Sequence, residues 1–138
     1  EGKDSLTFSG RACGLPVGDL PAGEQDRVYY YSIFPNFLLS LHPDYVMFHT
    51  LWPEEAGRTR VTCDWLFNPE TMNRPEFNPA EGIDFWDMTN RQDWHICEES
   101  QLGIQSRFYR PGPYSRREAL PMQFDREVLK QLGHKRHY

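Results

Sequence analysis

The fold is decided by residues 27–67, which read RVYYYSIFPNFLLSLHPDYVMFHTLWPEEAGRTRVTCDWLF. Aromatic and β-branched residues dominate this stretch, and such residues favour β-strands. Proline, asparagine and glycine interrupt it at intervals that suit short turns. The predicted strands cover residues 28–34, 37–42, 45–52 and 59–67. Because their connections are short, we expect three or four of these strands to pair in antiparallel fashion.

The flanks of this stretch carry weaker signals for strand and loop. The alternation of Leu6-Thr7-Phe8-Ser9 predicts a brief strand, followed by an irregular segment that runs to Asp26. Residues 67–77 hold two prolines and two asparagines, so we expect a loop there.

A long helix is predicted to begin after this loop. Asn78 is suited to cap it, Pro79 to occupy its first position, and Glu81 to bond back to the cap. The helix is expected to end near Ile104. Together with the strands, it predicts an α+β fold in which an antiparallel sheet packs on a long helix.

A last helix follows a second capping signal. Residues 115–118 read SRRE, which resembles a capping box, and Gly133 stands where a helix-ending glycine belongs. Apolar residues recur between them at every fourth position, namely Leu120, Phe124, Val128 and Leu132. Pro121 either kinks this helix or marks its true start. Residues 134–138 are predicted to form a short, solvated basic tail.

Composition excludes several classes of protein. The 138 residues carry 15 Lys and Arg against 20 Asp and Glu, and this net charge of −5 argues against nucleic acid as a partner. No apolar run approaches the ~18 residues that a membrane span requires, so we expect no membrane association. The three cysteines form no Cys-x-x-Cys pair, which suits a reducing, cytoplasmic compartment.

One stripe of the long helix, with the polar residues Asn90 and Asp93 in its middle, is the main candidate for chemistry. At helical spacing it contains Ile83, Trp86, Asn90, Asp93, Cys97 and Ile104. If this stripe faces the sheet, Asp93 is a carboxylate in the interior, which is costly unless it is paired or bound to a metal. Two structural alternatives remain open: a pair with Arg91 or Arg107, or a rotated stripe that places Asp93 in water.

Several segments together resemble a known enzyme family. Residues 90–103 read NRQDWHICEESQLG, and residues 106–115 read SRFYRPGPYS, with Glu118 and Phe124 following. Residues 33–39 (IFPNFLL) and 50–53 (TLWP) agree in order and spacing. As a set, these segments resemble the α subunits of Rieske non-heme iron oxygenases, the aromatic-ring-hydroxylating dioxygenases, from Leu6 to Leu132.

The resemblance implies a fold and a metal site. The family's catalytic domain has a helix-grip (START-like) fold, in which a curved antiparallel sheet wraps a long helix. It holds mononuclear Fe(II) with two histidines and one carboxylate, which leaves positions open for O2 and substrate. The carboxylate aligns with Asp93. Asn90, and less directly Gln101, are expected to orient it.

The resemblance also implies which partners the protein has and that these residues cover only part of the family's catalytic domain. Neither the family's histidine ligands nor the Cys-x-His motif that binds its 2Fe–2S cluster has a counterpart here. We therefore expect residues 1–138 to form a single partial domain, the C-terminal portion of a Rieske oxygenase catalytic domain. The implied partners are a small organic substrate, O2 and a reductase or ferredoxin, with a homotrimer as the full-length assembly. Residues expected near an aromatic or quaternary-amine substrate are His49, Met47, Phe48, Trp86 and Cys97.

Two other classes of function compete with the oxygenase. The same fold could bind an apolar small molecule without metal, as a helix-grip ligand-binding domain. The chain could also be an accessory or assembly piece, whose exposed apolar surface awaits a partner.

Overall fold

The computed structural model describes residues 5–133 and contains one antiparallel sheet of four strands in the order β1-β2-β3-β4. The strands are β1 (Tyr29–Ile33), β2 (Phe37–Leu41), β3 (Tyr45–Glu55) and β4 (Arg58–Phe67). This confirms the predicted strands and the α+β class. The β3–β4 hairpin is longer than predicted, because pairing continues through Pro53 to Glu55 opposite Arg58, with an irregularity in register between Pro53 and Glu55.

The register of the sheet decides which residues share a face. Tyr45 pairs with Phe67, Met47 with Trp65, and His49 with Cys63. Since alternate residues of a strand point to opposite sides, all six lie on one face. Side chains of the long helix contact this face, which we call the helix face. On the other side, the outer face, the ring of Phe48 stacks on Phe37 at 5.2 Å between centroids.

Up to residue 133, the end of the described chain, three helices follow the sheet: α1 (Pro69–Met72), α2 (Ala80–Ile104) and α3 (Ala119–Gln131). The single turn of α1 lies in a segment predicted to be a loop; Asn68 caps it by accepting a hydrogen bond from the Glu70 amide at 2.9 Å. Asn78 caps α2 as predicted, accepting from the Ala80 amide at 3.0 Å.

Two details of helix capping differ from the prediction. Glu81 does not bond back to Asn78. Its carboxylate instead accepts a hydrogen bond from the Ser9 amide at 3.1 Å, because the N-terminal segment, residues 5–28, lies against the first turn of α2. Helix α3 begins at Ala119, so Pro121 falls in its first turn, where no amide donor is needed. Gly133 takes the expected left-handed conformation, with φ of 73°.

The predicted strand over Leu6–Ser9 is wrong. These residues form turns, in which the Ser5 amide donates to the Gly10 carbonyl and the Gly10 amide to Thr7. Gly10 has φ of 73°, a conformation that closes the turn and that residues with a side chain rarely adopt. A 3-10 helical turn, Ala22–Glu24, follows further along.

The chain divides into two compact units, Glu1–Leu102 and Gly103–Tyr138. In the second, the Tyr114 hydroxyl hydrogen-bonds Asp125, and the Ser115 amide donates to the Glu118 carboxylate at 2.6 Å.

Among the described residues, no helix combines the length and apolarity needed to span a bilayer. The predicted basic tail, residues 134–138, lies outside the described residues.

Candidate functional site

Helix α2 contacts the sheet through a hydrogen bond between Trp86 and Tyr45. The Trp86 indole N–H donates to the Tyr45 hydroxyl at 2.6 Å, and that hydroxyl donates to the Leu6 carbonyl at 2.9 Å. Tyr45 is fully buried. One hydroxyl thus joins β3, α2 and the N-terminal segment, and it satisfies polar groups that would be costly to bury alone.

His42 lies beside the hydrogen bond between Trp86 and Tyr45 and is buried. Its ring stacks on Tyr45 at 4.2 Å between centroids, while the edges of Tyr30 and Trp86 approach at 6.2 and 5.6 Å. His42 is 2% exposed, and within residues 5–133 neither ring nitrogen has a hydrogen-bond partner. Burial lowers the pKa of His42 from its ordinary 6.5 to about 4, so the imidazole is neutral at pH 7.

The second contact of α2 with the sheet is polar and lies one turn further on. The side-chain oxygen of Asn90 is 3.1 Å from His49 Nε2, and its amide nitrogen donates to the Cys63 sulfur at 3.8 Å. Asn90 is 7% exposed. Desolvation raises the pKa of the Cys63 thiol to about 11, so Cys63 stays a neutral thiol that can accept this bond.

Beyond Asn90, helix α2 leaves the sheet. Residues 91–100 are all exposed, Asp93 among them, and Gln101 is half-buried. The sequence left two structural alternatives open for Asp93, an ion pair with an arginine or exposure to water, and the structure shows the second. Its carboxylate makes no hydrogen bond or ion pair to any residue that the structure describes. Arg91 pairs instead with Asp87, at 2.7 Å.

The residues expected near a substrate do not all come together. Met47, His49 and Trp86 lie where α2 covers the helix face, and Met47 is 1% exposed. Phe48 lies on the outer face, away from α2. Cys97 is exposed on the part of α2 that follows Asn90 and does not contact the sheet. Any cavity bounded by this face therefore excludes Phe48.

The donors available to a metal are incomplete. Over residues 5–133, no group of three or more His, Cys, Asp or Glu side chains is placed to hold a metal ion. Asp93 fits Fe(II) in its chemistry, as a hard oxygen donor without another partner. The remaining ligands of an iron centre would have to come from elsewhere.

Comparison with known proteins identifies the family of the chain. Residues 2–134 match the family described as "Ring hydroxylating alpha subunit (catalytic domain)". The chain belongs to this family, the α subunits of Rieske non-heme iron oxygenases, as its sequence indicated. The match takes in the whole of α2 and both of its contacts with the sheet.

The proteins similar to this chain include two oxygenase subunits. The glycine betaine monooxygenase oxygenase subunit of Pseudomonas aeruginosa is 40% identical over 73 residues, or 53% of this chain and 17% of that protein. The subunit of the same name from Chromohalobacter salexigens is 32% identical over 117 residues, or 84% of this chain and 26% of that protein. The chain thus spans about a quarter or less of these relatives.

Sequence reasoning missed two residues of the site. Cys63 becomes relevant only through its register with His49, and register is a long-range property. His42 is the last residue of the predicted strand 37–42, directly before Pro43, and was given no role in the site. A usable signal was present, since His42 continues the alternation of Ser40 and therefore points to the helix face.

Proposed function

We propose that these 138 residues form the C-terminal part of the catalytic domain of a Rieske oxygenase that hydroxylates a quaternary amine. The observation that carries this proposal is the family match over residues 2–134, which includes the signature segment, residues 90–103, whose resemblance to the family aligns Asp93 with the carboxylate ligand. In the full-length enzyme, Asp93 would be the carboxylate ligand of mononuclear Fe(II). Iron bound there would supply the activation of O2.

The proposal includes the helix-grip fold. The first half of α2 lies on one face of a four-stranded antiparallel sheet, as that fold requires. The described residues do not enclose Asp93, so further protein would have to cover it. The two histidine ligands and the 2Fe–2S cluster would belong to that further protein, as would the contacts with a reductase or ferredoxin and within a homotrimer.

The side chains of this chain would bind and orient rather than transfer protons. The hydrogen bond between Trp86 and Tyr45 holds α2 on the sheet. One turn closer to Asp93, Asn90 makes a further contact with the sheet through His49. His42, kept neutral by burial, adds no positive charge to the helix face. Quaternary ammonium groups are attracted to aromatic ring faces, and Trp86, which is half-buried, is the aromatic side chain of this contact that would meet one. The glycine betaine monooxygenases among the relatives support this substrate class over aromatic rings.

The test uses a longer chain that contains the upstream residues, supplied with an electron donor and glycine betaine. We expect O2-dependent loss of a methyl group from the substrate, and we expect Asp93→Asn to lower this rate by about 100-fold or more, because even groups that merely support a ligand cost 10–100-fold when lost. Glu99→Gln, an exposed carboxylate on the same helix, is the matched control and is expected to leave the rate unchanged.

Two outcomes would contradict the proposal. An Asp93→Asn variant as active as the unmodified chain would remove Asp93 from the iron site. Tight binding of an apolar molecule without iron or turnover would instead favour the metal-free ligand-binding domain. Turnover of an aromatic ring in place of glycine betaine would keep the oxygenase and overturn the substrate class.

A further inference from the structure

One polar cluster joins three elements at the point where α2 leaves the sheet. His49 on β3 and Cys63 on β4 are direct cross-strand partners. Asn90 on α2 reaches both, with its oxygen toward His49 Nε2 at 3.1 Å and its amide nitrogen toward Cys63 at 3.8 Å. With the amide in this orientation, His49 Nε2 carries the proton and donates. We call these three residues the Asn90 cluster.

The Asn90 cluster holds the last contact of α2 with the sheet before Asp93. The preceding contact is the bond from Trp86 to Tyr45, four residues earlier, and residues 91–100 are exposed. Asp93 lies three residues beyond Asn90, which is about 4.5 Å along the helix and about 60° around its axis. A small rotation of the helix at Asn90 therefore changes the direction in which the Asp93 carboxylate points.

We propose that the Asn90 cluster fixes the rotation of α2 about its axis and thereby aims Asp93, which makes His49 a positioning residue. This rests on the proposed function, in which Asp93 is the iron carboxylate. The resemblance led us to expect that Asn90 orients that carboxylate. In the structure both polar ends of the Asn90 amide are turned to the sheet, so the effect passes through the helix backbone.

Polar groups suit this task because their partners are specific. An apolar residue at Asn90 could pack on the sheet over a range of helix rotations, whereas a buried amide with two partners keeps one orientation, and leaving either partner unpaired is costly. The same reasoning gives His49 a test by substitution. Gln places a side-chain N–H donor where His49 Nε2 lies, while Leu fills similar space without a donor.

The experiment measures iron binding by the longer chain and its His49→Leu and His49→Gln variants. We expect His49→Leu to weaken iron binding about tenfold, the lower end of the range for groups that support metal ligands. We also expect a second species in the electron paramagnetic resonance spectrum of the nitric oxide adduct of Fe(II). His49→Gln is expected to recover the affinity to within about threefold and to restore a single species.

Controls separate this proposal from a loss of fold and from the proposed function. Thr50→Val alters the neighbouring residue on the outer face and is expected to match the unmodified chain. If His49→Leu does not fold, Asn90→Ala takes its place. Unchanged affinity and spectrum in the Leu variant, or a Gln variant no better than it, would overturn the positioning role. Iron retained by Asp93→Ala would overturn the proposed function instead.

Discussion

Single residues on the helix face combine burial with polar chemistry, and His42 is the extreme case. Its ring is enclosed by Tyr45, Tyr30 and Trp86, and its nitrogens have no partner among the described residues. Burying such groups costs free energy that hydrogen bonds do not recover. The site therefore tolerates a neutral imidazole and opposes an imidazolium.

His42 predicts a loss of stability in acid. The folded chain keeps His42 neutral down to a pKa of about 4, whereas the unfolded chain takes up a proton near pH 6.5. Protons therefore favour the unfolded chain as the pH falls through this window. We expect the free energy of unfolding to fall by up to about 3 kcal/mol between pH 7 and pH 4 from this group alone.

Urea unfolding of the chain and of His42→Phe, measured at several pH values, isolates this contribution. The Phe ring replaces the unpartnered nitrogens with carbon, so the variant is expected to be at least as stable at pH 7. The difference in stability between the two chains should grow as the pH falls to 4. A His42→Phe variant with the same pH dependence as the unmodified chain would contradict the assignment.

Tyr45 gives a second prediction at this scale. Its hydroxyl accepts from Trp86 and donates to the Leu6 carbonyl, so Tyr45→Phe leaves both groups unpaired. We expect a loss of about 1–3 kcal/mol in the free energy of unfolding. Tyr31→Phe is the matched control, because Tyr31 is 49% exposed and should lose little. Equal effects of the two substitutions would show that the Tyr45 hydroxyl is not a structural link.

At the level of elements, the N-terminal segment is held by α1 and by the β2–β3 turn. The Leu15 amide donates to Thr71 Oγ1 at 2.8 Å, and Thr71 is 2% exposed. The carboxylate of Asp44 accepts from the Ser5 hydroxyl at 2.7 Å and from the Cys13 amide at 2.6 Å. These bonds give a segment without strands a defined position against the sheet.

Close packing at Gly14 makes this attachment testable. A Cβ added to Gly14 would lie 2.2 Å from Thr71 Cγ2, whereas one added to Gly18 meets nothing within 4 Å. We expect Gly14→Ala to destabilise the chain by about 1–3 kcal/mol, the usual cost of overpacking. Gly18→Ala should leave the midpoint of thermal unfolding nearly unchanged. A tolerated Gly14→Ala would mean that the segment is not packed against α1.

Local signals predicted most of the elements, and long-range packing explains the rest. The caps at Asn78 and Gly133 act within a few residues of the chain, so the sequence displays them. The Leu6–Ser9 segment has strand-like alternation but finds no partner strand, and its backbone closes on Gly10 instead. How far α2 extends past the sheet, and hence that Asp93 is exposed, depends on packing that no local pattern encodes.

For the molecule as a whole, the family is established by the match over residues 2–134, while the role of Asp93 as an iron ligand stays a prediction. The structure shows Asp93 exposed on the part of α2 that follows Asn90 and does not contact the sheet. The sequence suggests Asp93 as a ligand because the signature that contains it, residues 90–103, is local. It could not predict the Asn90 cluster, which requires β3, β4 and α2 to be assembled.

The central claim, that Asp93 is an iron ligand, is tested most directly by the iron content of the longer chain. Purified without oxygen and loaded with Fe(II), that chain is expected to hold about one mononuclear iron per polypeptide beyond its 2Fe–2S cluster. Asp93→Ala should lose this iron and keep the cluster, while Glu99→Gln should keep both. Mononuclear iron retained at full occupancy by Asp93→Ala would contradict the claim.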